Sequence, residues 1–91
     1  MKYEIIISPV AKEDIKKLQR NEPNAFKKLV NLLVELGEHP ETGTGKPEKL
    51  KGDLSGKWSR RITDKHRLIY SIDNSIINVF VLSCWGHYED K

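Results

Sequence analysis

The sequence predicts an α+β domain in which a helical hairpin packs on one face of a largely antiparallel sheet, in the order β-α-α-β-β-β-β. Three observations predict it. A strand-like alternation opens the chain, two helical patterns separated by a proline follow, and the second half alternates apolar and polar residues between short turns. Because 91 residues fit one domain, we expect a single domain over residues 1–91.

The first half of the chain predicts one strand and two helices. Residues 2–7 alternate as a strand, and Ser8-Pro9 is a typical helix start, so we expect a helix to about Arg20. Pro23 begins a second helix, and Gly37 is predicted as its left-handed C-cap. The short turn between the helices predicts an antiparallel hairpin. The predicted apolar faces consist of Ala11, Ile15 and Leu18 in the first helix, and Phe26, Leu29, Val30, Leu33 and Leu36 in the second.

The second half predicts a loop and then a β-meander. Residues 38–47 are rich in Gly, Thr and Pro, and their glycines lack the spacing of a phosphate-binding loop. Strands are expected over residues 48–51, 57–63, 67–72 and 76–84, the last being the most apolar and therefore an interior strand. A two-residue turn at Asp64-Lys65 would pair Ile62 with Arg67 and place Arg60 and Arg67 on one face; a bulge would bring Arg61 there instead.

Positive charge is concentrated in one stretch. Residues 46–67 contain eight basic and three acidic residues, a net +5, whereas the rest of the chain carries −2. A basic stretch on a nearly neutral body indicates a polyanionic partner, most often nucleic acid, although a solvated lysine-rich surface has the same composition. We expect this charge not to be neutralised within the chain.

Composition argues against several other classes of protein. No apolar run approaches the length of a membrane span, and Met1-Lys2-Tyr3 leads directly into a strand rather than a signal peptide. Cys84 is the only cysteine, so we expect a cytoplasmic protein without membrane association. The histidines are scattered and form no metal signature, so we expect neither a metal nor a cofactor.

The remaining polar residue types are those needed to cleave RNA without a metal. The 2′-hydroxyl of RNA can attack its own 3′-phosphate when a general base removes its proton and a general acid protonates the leaving 5′-oxygen. Arginine or lysine must face the phosphate as it gains negative charge, and an aromatic ring can hold a base. Composition alone does not say which residues would do this.

Three stretches resemble the YoeB/Txe family of toxins, within the RelE-like superfamily. Residues 45–51, GKPEKLK, are similar to the family's GKPEPLK, and residues 54–63, LSGKWSRRIT, to LSGxWSRRIT. Residues 66–70, HRLIY, are similar to HRLVY, and His87-Tyr88 matches the family's terminal histidine–tyrosine pair. The spacing agrees across about the last half of the chain, while the helical half fits in pattern only. The resemblance implies a microbial-ribonuclease-like fold and a ribosome-dependent mRNA endoribonuclease, the toxin of a type II toxin–antitoxin pair.

The resemblance also implies roles for six residues. Glu48 would be the general base, His87 the general acid, and Arg67 the group that stabilises the phosphate. Lys51 and Arg61 would bind the RNA backbone, and Tyr88 would position a base. The implied partners are mRNA, the ribosome and a small antitoxin with an acidic, partly disordered segment; a homodimer is also compatible with the sequence.

Two departures from the family pattern concern the site. Lys49 replaces a proline beside Glu48, but the two side chains point to opposite faces if the segment is extended, so we expect little influence of one on the other. Glu89-Asp90-Lys91 follow the histidine–tyrosine pair and could lie near the site.

Two other functions stay open from the sequence. A related toxin that binds DNA gyrase would have this fold without the acid–base set, and Glu48 and His87 argue against it. A plain nucleic-acid-binding module would explain the basic stretch but not the terminal histidine–tyrosine pair.

Overall fold

The order of elements matches the prediction. A computed structural model of the protein describes residues 2–86. Along the chain it contains β1 (Glu4–Ile7), α1 (Pro9–Asn21), α2 (Pro23–Glu38), β2 (Glu48–Lys49), a 3₁₀ turn (Gly52–Leu54), β3 (Lys57–Arg61), β4 (Arg67–Asp73) and β5 (Asn78–Ser83).

The strands form one sheet in the order β1-β5-β4-β3-β2. Only β1 and β5 pair in parallel, and the other three pairs are antiparallel, so the predicted largely antiparallel sheet is confirmed. The apolar strand β5 is an interior strand, as predicted. It begins at Asn78 rather than Ile76, because Ile77 has a φ of 57° and belongs to the preceding turn.

The helix ends show one confirmed and one wrong prediction. The Ser8 hydroxyl accepts a hydrogen bond from the Ala11 amide at 3.0 Å and caps α1, as expected. The left-handed cap predicted at Gly37 is wrong, because α2 continues through this residue to Glu38. Gly37 lies against the chain before β1, and its carbonyl accepts from the Tyr3 amide at 2.7 Å. The helix ends before Pro40, since a proline disfavours helical geometry in the residue preceding it.

The core lies between the two helices and one face of the sheet. Strand residues Leu68, Tyr70, Val79 and Val81 belong to it, together with helix residues. The prediction that Val30 lies on the apolar face of α2 is wrong, since it is 41% exposed. The apolar face is rotated instead to the spacing i, i+4, i+7, i+11, and its buried members are Ala25, Leu29, Leu32 and Leu36.

The opposite face of the sheet carries the polar strand residues, and we call it the open face. Alternation along β3 and β4 puts Ser59, Arg61, Arg67 and Ile69 on this face, since Leu68 and Tyr70 belong to the core. Ser59 and Ile69 are nevertheless buried near the middle of the sheet, whereas Arg61 is exposed. The accessible polar groups of the open face therefore lie toward the ends of the strands.

Candidate active site

Glu48, Arg61 and Arg67 come together on the open face. Glu48 of β2 pairs with Ser59 of β3, which in turn pairs with Ile69 of β4. Glu48, Ser59 and Ile69 therefore form one row across the sheet. Arg61 and Arg67 pair directly in the next row on the same face. Glu48 is thus a diagonal neighbour of Arg61, at roughly 7–8 Å between such positions. It lies two strand spacings across and two residues along from Arg67, at about 12 Å.

The pairing of β3 with β4 corrects the predicted register. Arg61 rather than Ile62 pairs with Arg67, so the prediction that Arg60 and Arg67 share a face is wrong. The connection after β3 is longer than a two-residue turn. The amides of Ile62 and Thr63 both donate to the carbonyl of His66, at 3.0 and 3.2 Å, so two residues stand opposite one. This bulged arrangement brings Arg61 to the open face and turns Arg60 inward.

The two opposed arginines make this end of the open face an anion-binding candidate. Like charges directly opposite each other in a sheet repel, so a bound anion would relieve the juxtaposition. The Arg61 guanidinium lies 3.6 Å from the Asp64 carboxylate. Among residues 2–86, no group accepts a hydrogen bond from the buried Nε of Arg67. The geometry therefore suits a phosphate between the two guanidinium groups.

The loop before β2 is fixed to the end of β3. The Arg61 amide donates to the Gly45 carbonyl at 2.7 Å. Gly45 has a φ of 86°, and a Cβ there would stand 2.9 Å from the Arg61 carbonyl oxygen, so only glycine fits this approach without displacement. Gly45 thereby ties the GKPEK segment that carries Glu48 to the strand that carries Arg61.

Lys49 and Lys51, which follow Glu48 in the sequence, lie in other positions than Glu48. Lys49 pairs with Trp58 and lies on the opposite face from Glu48, as the extended segment predicted. Its Nζ lies 6.0 Å from the centre of the Trp58 ring. Lys51, the predicted RNA-binding residue, is exposed just after β2 at the start of the 3₁₀ turn. It follows Leu50, whose amide continues the pairing by donating to the Lys57 carbonyl at 2.9 Å.

Arg60 is a buried structural residue, a role that sequence reasoning missed. Its side chain is fully buried and pairs with Glu35 of α2 at 2.8 Å. Its alternation with Trp58 and Ile62, which both lie on the core side, is the signal that could have revealed it. The guanidinium makes five hydrogen bonds, whose acceptors are the Tyr70 hydroxyl, the Glu35 carboxylate and the carbonyls of His39, Thr42 and Thr44. It therefore organises the loop that leads to Glu48.

Backbone contacts fix the chain after β5 up to Gly86. A bulge between β4 and β5 adds one residue, Leu82, whose carbonyl accepts from the Ser8 hydroxyl at 3.0 Å. The Cys84 amide donates to the Asp14 carboxylate of α1 at 3.0 Å. The Gly86 carbonyl accepts from the Arg67 amide at 2.9 Å. The predicted general acid His87, the predicted base-positioning residue Tyr88 and the Glu89-Asp90-Lys91 tail lie outside the described residues.

His66 is buried beside Gly86, and its second ring nitrogen faces the helices. Its Nδ1 lies 2.8 Å from the Gly86 amide nitrogen, and its Nε2 lies 2.8 Å from the Glu22 carboxylate between the helices. The ring also packs on Trp85, with 4.4 Å between the ring centres. The hydrogen bond with His66 is the main cause that holds the pKa of Glu22 below its ordinary value. These contacts make His66 part of the packing between the helices and the chain after β5.

The structure corrects the expectation that the basic stretch stays unneutralised. Arg60 is paired with Glu35, and the Nζ of Lys65 lies 3.4 Å from Glu22; both acidic partners lie outside residues 46–67. The excess positive charge is therefore smaller at the surface than in the sequence. Lys57, Arg61 and Arg67 carry positive charge near Glu48 on the open face.

The described part of the chain has neither a metal-binding cluster nor a membrane-spanning helix. Within residues 2–86 no three His, Cys, Asp or Glu side chains are grouped so as to hold a metal ion. No helix in the same part of the chain is long and apolar enough to cross a bilayer.

Known proteins similar to this chain are bacterial toxins. The model of the YoeB-like toxin of bacterial type II toxin–antitoxin systems matches residues 8–88. Toxin YoeB of Synechocystis is 41% identical over 71 residues, which cover 78% of this chain and 80% of that protein. Toxin YoeB of Escherichia coli K12 is 42% identical over 71 residues, covering 77% and 81% of the two chains.

Solved structures show the same fold. The YoeB/ParE toxin from Agrobacterium tumefaciens superposes with a TM-score of 0.87 at 35% identity, covering 93% of this chain and 99% of that one. The YoeB-YefM complex from Staphylococcus aureus contains a chain that matches with a TM-score of 0.80 at 40% identity, covering 97% and 100%. The fold is thus that of a RelE-like toxin. With the family match over most of its length, the chain belongs to the YoeB-like toxins of type II toxin–antitoxin systems.

Proposed function

We propose that this toxin is a metal-independent endoribonuclease that cleaves mRNA on the ribosome. The observation that carries the proposal is the placement of Glu48, Arg61 and Arg67 on one open sheet face. A carboxylate near two guanidinium groups provides a general base beside the charge that a scissile phosphate needs.

The reaction moves two protons and exchanges one bond at phosphorus. Glu48 takes the proton of the 2′-hydroxyl as the 2′-oxygen bonds to phosphorus. Arg67, with Arg61, stabilises the charge that develops on the phosphate oxygens. The bond to the 5′-oxygen breaks as His87 supplies its proton, leaving a 2′,3′-cyclic phosphate and a 5′-hydroxyl. Lys51 contacts the RNA backbone, and Tyr88 positions a base.

The ribosome supplies alignment in this proposal. So small a set of acid–base groups depends on a substrate that is already held with the 2′-oxygen in line with the leaving oxygen. Ribosome-bound mRNA is held in a fixed path, whereas free RNA must lose its flexibility in the site.

Product analysis on programmed ribosomes tests the proposal. The wild-type protein should release fragments with 2′,3′-cyclic phosphate or 3′-phosphate ends and 5′-hydroxyl ends. Glu48→Gln should lower the single-turnover rate by roughly 10²–10⁴. Glu41→Gln, which removes an exposed carboxylate from the neighbouring loop, is the matched control and should cleave normally. Fragments with 5′-phosphate ends, or full activity of Glu48→Gln, would contradict the mechanism.

We also propose protein partners. The Staphylococcus aureus relative has been solved both as a YoeB-YefM complex and as a YoeB dimer. By this likeness the present chain binds a small antitoxin with an acidic, partly disordered segment and forms a homodimer. Light scattering of the protein alone and with the product of the neighbouring gene tests both assemblies.

A further inference from the structure

We infer that His66 is a positioning residue for the reaction, because it fixes the backbone of Gly86 and so sets how the chain enters His87. The inference rests on the proposed function, in which His87 is the general acid. It adds a residue that does not touch the RNA.

The hydrogen bonds of His66 define its tautomer. The Gly86 amide can only donate, so the Nδ1 atom 2.8 Å away must accept and carry no hydrogen. The remaining ring hydrogen is then on Nε2, which donates to the Glu22 carboxylate at 2.8 Å. Glu22 therefore selects the tautomer that can hold Gly86. The protein uses an oriented imidazole here as a link between the helical hairpin and the chain before His87.

Gly86 is held on both of its backbone polar groups. Its amide is bound by His66, and its carbonyl accepts from the amide of Arg67 at 2.9 Å. Arg67 is the predicted phosphate ligand, so one residue pair, His66-Arg67, holds the residue before the predicted acid. Gly86 has a φ of 79°. Because glycine has few conformational restrictions of its own, these contacts are needed to hold its backbone in one conformation.

The side chain of His66 is buried, which makes the link rigid. His66 is 2% exposed, and its ring packs on the ring of Trp85. Lys17 of α1 in turn covers Trp85, with its Nζ 4.7 Å from the centre of that ring. A buried, hydrogen-bonded ring holds its rotamer, which is what positioning of a general acid to within a fraction of an ångström requires.

Two substitutions separate the two nitrogens. The amide of asparagine places its Oδ1 at the level of Nδ1, so His66→Asn keeps an acceptor for Gly86 and loses the contact with Glu22. The amide of glutamine places its Nε2 at the level of the ring Nε2, so His66→Gln keeps a donor to Glu22 and loses the acceptor for Gly86. Both remove the ring from Trp85, so they are matched for the loss of packing.

Single-turnover cleavage on programmed ribosomes is the main measurement. His66→Gln should lower the rate at saturation at least tenfold, while the half-saturating ribosome concentration changes by less than about twofold. His66→Asn should stay within about threefold of the wild-type rate. A substrate whose leaving 5′-oxygen is replaced by sulfur needs no protonation, so it should restore His66→Gln toward the wild-type rate, as it should His87→Ala.

Amide hydrogen exchange at Gly86 checks the contact directly. Exchange should be faster in His66→Gln than in the wild type and close to wild type in His66→Asn. Equal losses of activity in both variants, accompanied by equal losses of melting temperature, would overturn the inference in favour of a purely structural ring. Normal cleavage by His66→Gln would overturn it as well. A wild-type protein that does not cleave mRNA on ribosomes would overturn the proposed function first.

Discussion

Two adjacent arginines of β3 have opposite environments. Arg60 is fully buried and holds the loop after α2, whereas Arg61 is exposed on the open face opposite Arg67. Strand alternation separates them, since neighbouring residues point to opposite sides of a sheet. The same type of side chain therefore stabilises the fold at one position and is proposed to bind substrate at the next.

Substituting the two arginines in turn should separate stability from activity. Arg60→Met removes one of the donors to Glu35 and the donor to the loop carbonyls, so the free energy of unfolding should fall by about 3–5 kcal/mol. Arg61→Met should leave stability within about 0.5 kcal/mol of wild type and slow cleavage about tenfold or more. Urea unfolding and single-turnover cleavage measure the two effects. If Arg61→Met were the less stable variant, the assignment of faces would be wrong.

Arg67 is expected to be the main contact to the scissile phosphate. Arg67→Ala should lower the single-turnover rate by roughly 10²–10³, the scale for removing one donor to transition-state charge. Arg67→Lys should recover little of it, because a point charge does not replace the planar pair of donors. Lys27→Ala, which removes one exposed charge from α2, controls for net charge. Near-normal cleavage by Arg67→Ala would rule out this role.

At the scale of elements, the sequence predicted their types and order but not their pairing. The spacing of apolar residues predicted both helices and predicted β5 as an interior strand. This works because the buried face of a helix or strand determines which positions in the sequence are apolar. The register of β3 and β4 depends on a bulge in which Ile62 and Thr63 stand opposite His66. The spacing of residues in the sequence does not predict this bulge. The prediction that α2 ends at Gly37 was wrong for a related reason. The carbonyl of this glycine accepts a hydrogen bond from the amide of Tyr3, which is far away in the sequence.

The candidate site was predicted by motif resemblance rather than by periodicity. Glu48, Arg61 and Arg67 lie too far apart in sequence for any local pattern to place them on one face, and only the three-strand pairing does so. Arg60 could have been placed inside by its alternation with Trp58. The role proposed for His66 depends on two residues, Glu22 and Gly86, that are distant in the chain, so sequence reasoning could not have found it.

The loop before β2 provides a test at the scale of an element. Gly45 and Gly56 have nearly the same φ, 86° and 90°, but of the two only Gly45 would bring an added Cβ within 4 Å of other atoms. Both Ala substitutions carry the left-handed strain of about 1–2 kcal/mol. Gly45→Ala should cost about 1–3 kcal/mol more, since the loop must move from β3. It should also slow cleavage by displacing Glu48, whereas Gly56→Ala should not. Equal effects on stability and cleavage rate would show that the Gly45–Arg61 contact does not position the loop.

At the scale of the whole molecule, carboxylates of the helical layer, Glu22 and Glu35 among them, join that layer to the rest of the fold. Glu22, between the helices, binds His66, and Glu35 of α2 binds Thr44 and Arg60. Hydrogen bonds from Thr44 and then from Arg60 hold the pKa of Glu35 below its ordinary value of 4.5, as the bond with His66 does for Glu22. Protonation of these groups therefore weakens contacts between layers.

Acid should consequently destabilise the protein through these two groups. A carboxylate whose folded pKa is lowered contributes stability that is fully present above its unfolded pKa and is lost as pH falls through the folded pKa. The free energy of unfolding should therefore decline as pH is lowered from about 5 toward 3. Glu22→Gln and Glu35→Gln should each flatten the decline, while Glu13→Gln, on the exposed side of α1, should not. Urea unfolding across this range measures it, and unchanged slopes would contradict the assignment.

Charge on the open face also determines how the proposed antitoxin should associate. An acidic segment that covers Arg61 and Arg67 would compete with RNA for the same guanidinium groups and fold as it binds. Electrostatic attraction should speed the encounter, so the association rate constant should fall steeply with rising salt. Lys57 lies on the open face, so Lys57→Glu should slow association. Lys27 lies on α2, so Lys27→Glu should have little effect. Stopped-flow association with the neighbouring gene's product, run beside a ribosome cleavage assay, makes the measurement. A rate independent of salt, equal rates for the two variants, or a complex that still cleaves at the full rate would show that the antitoxin inhibits without covering this face.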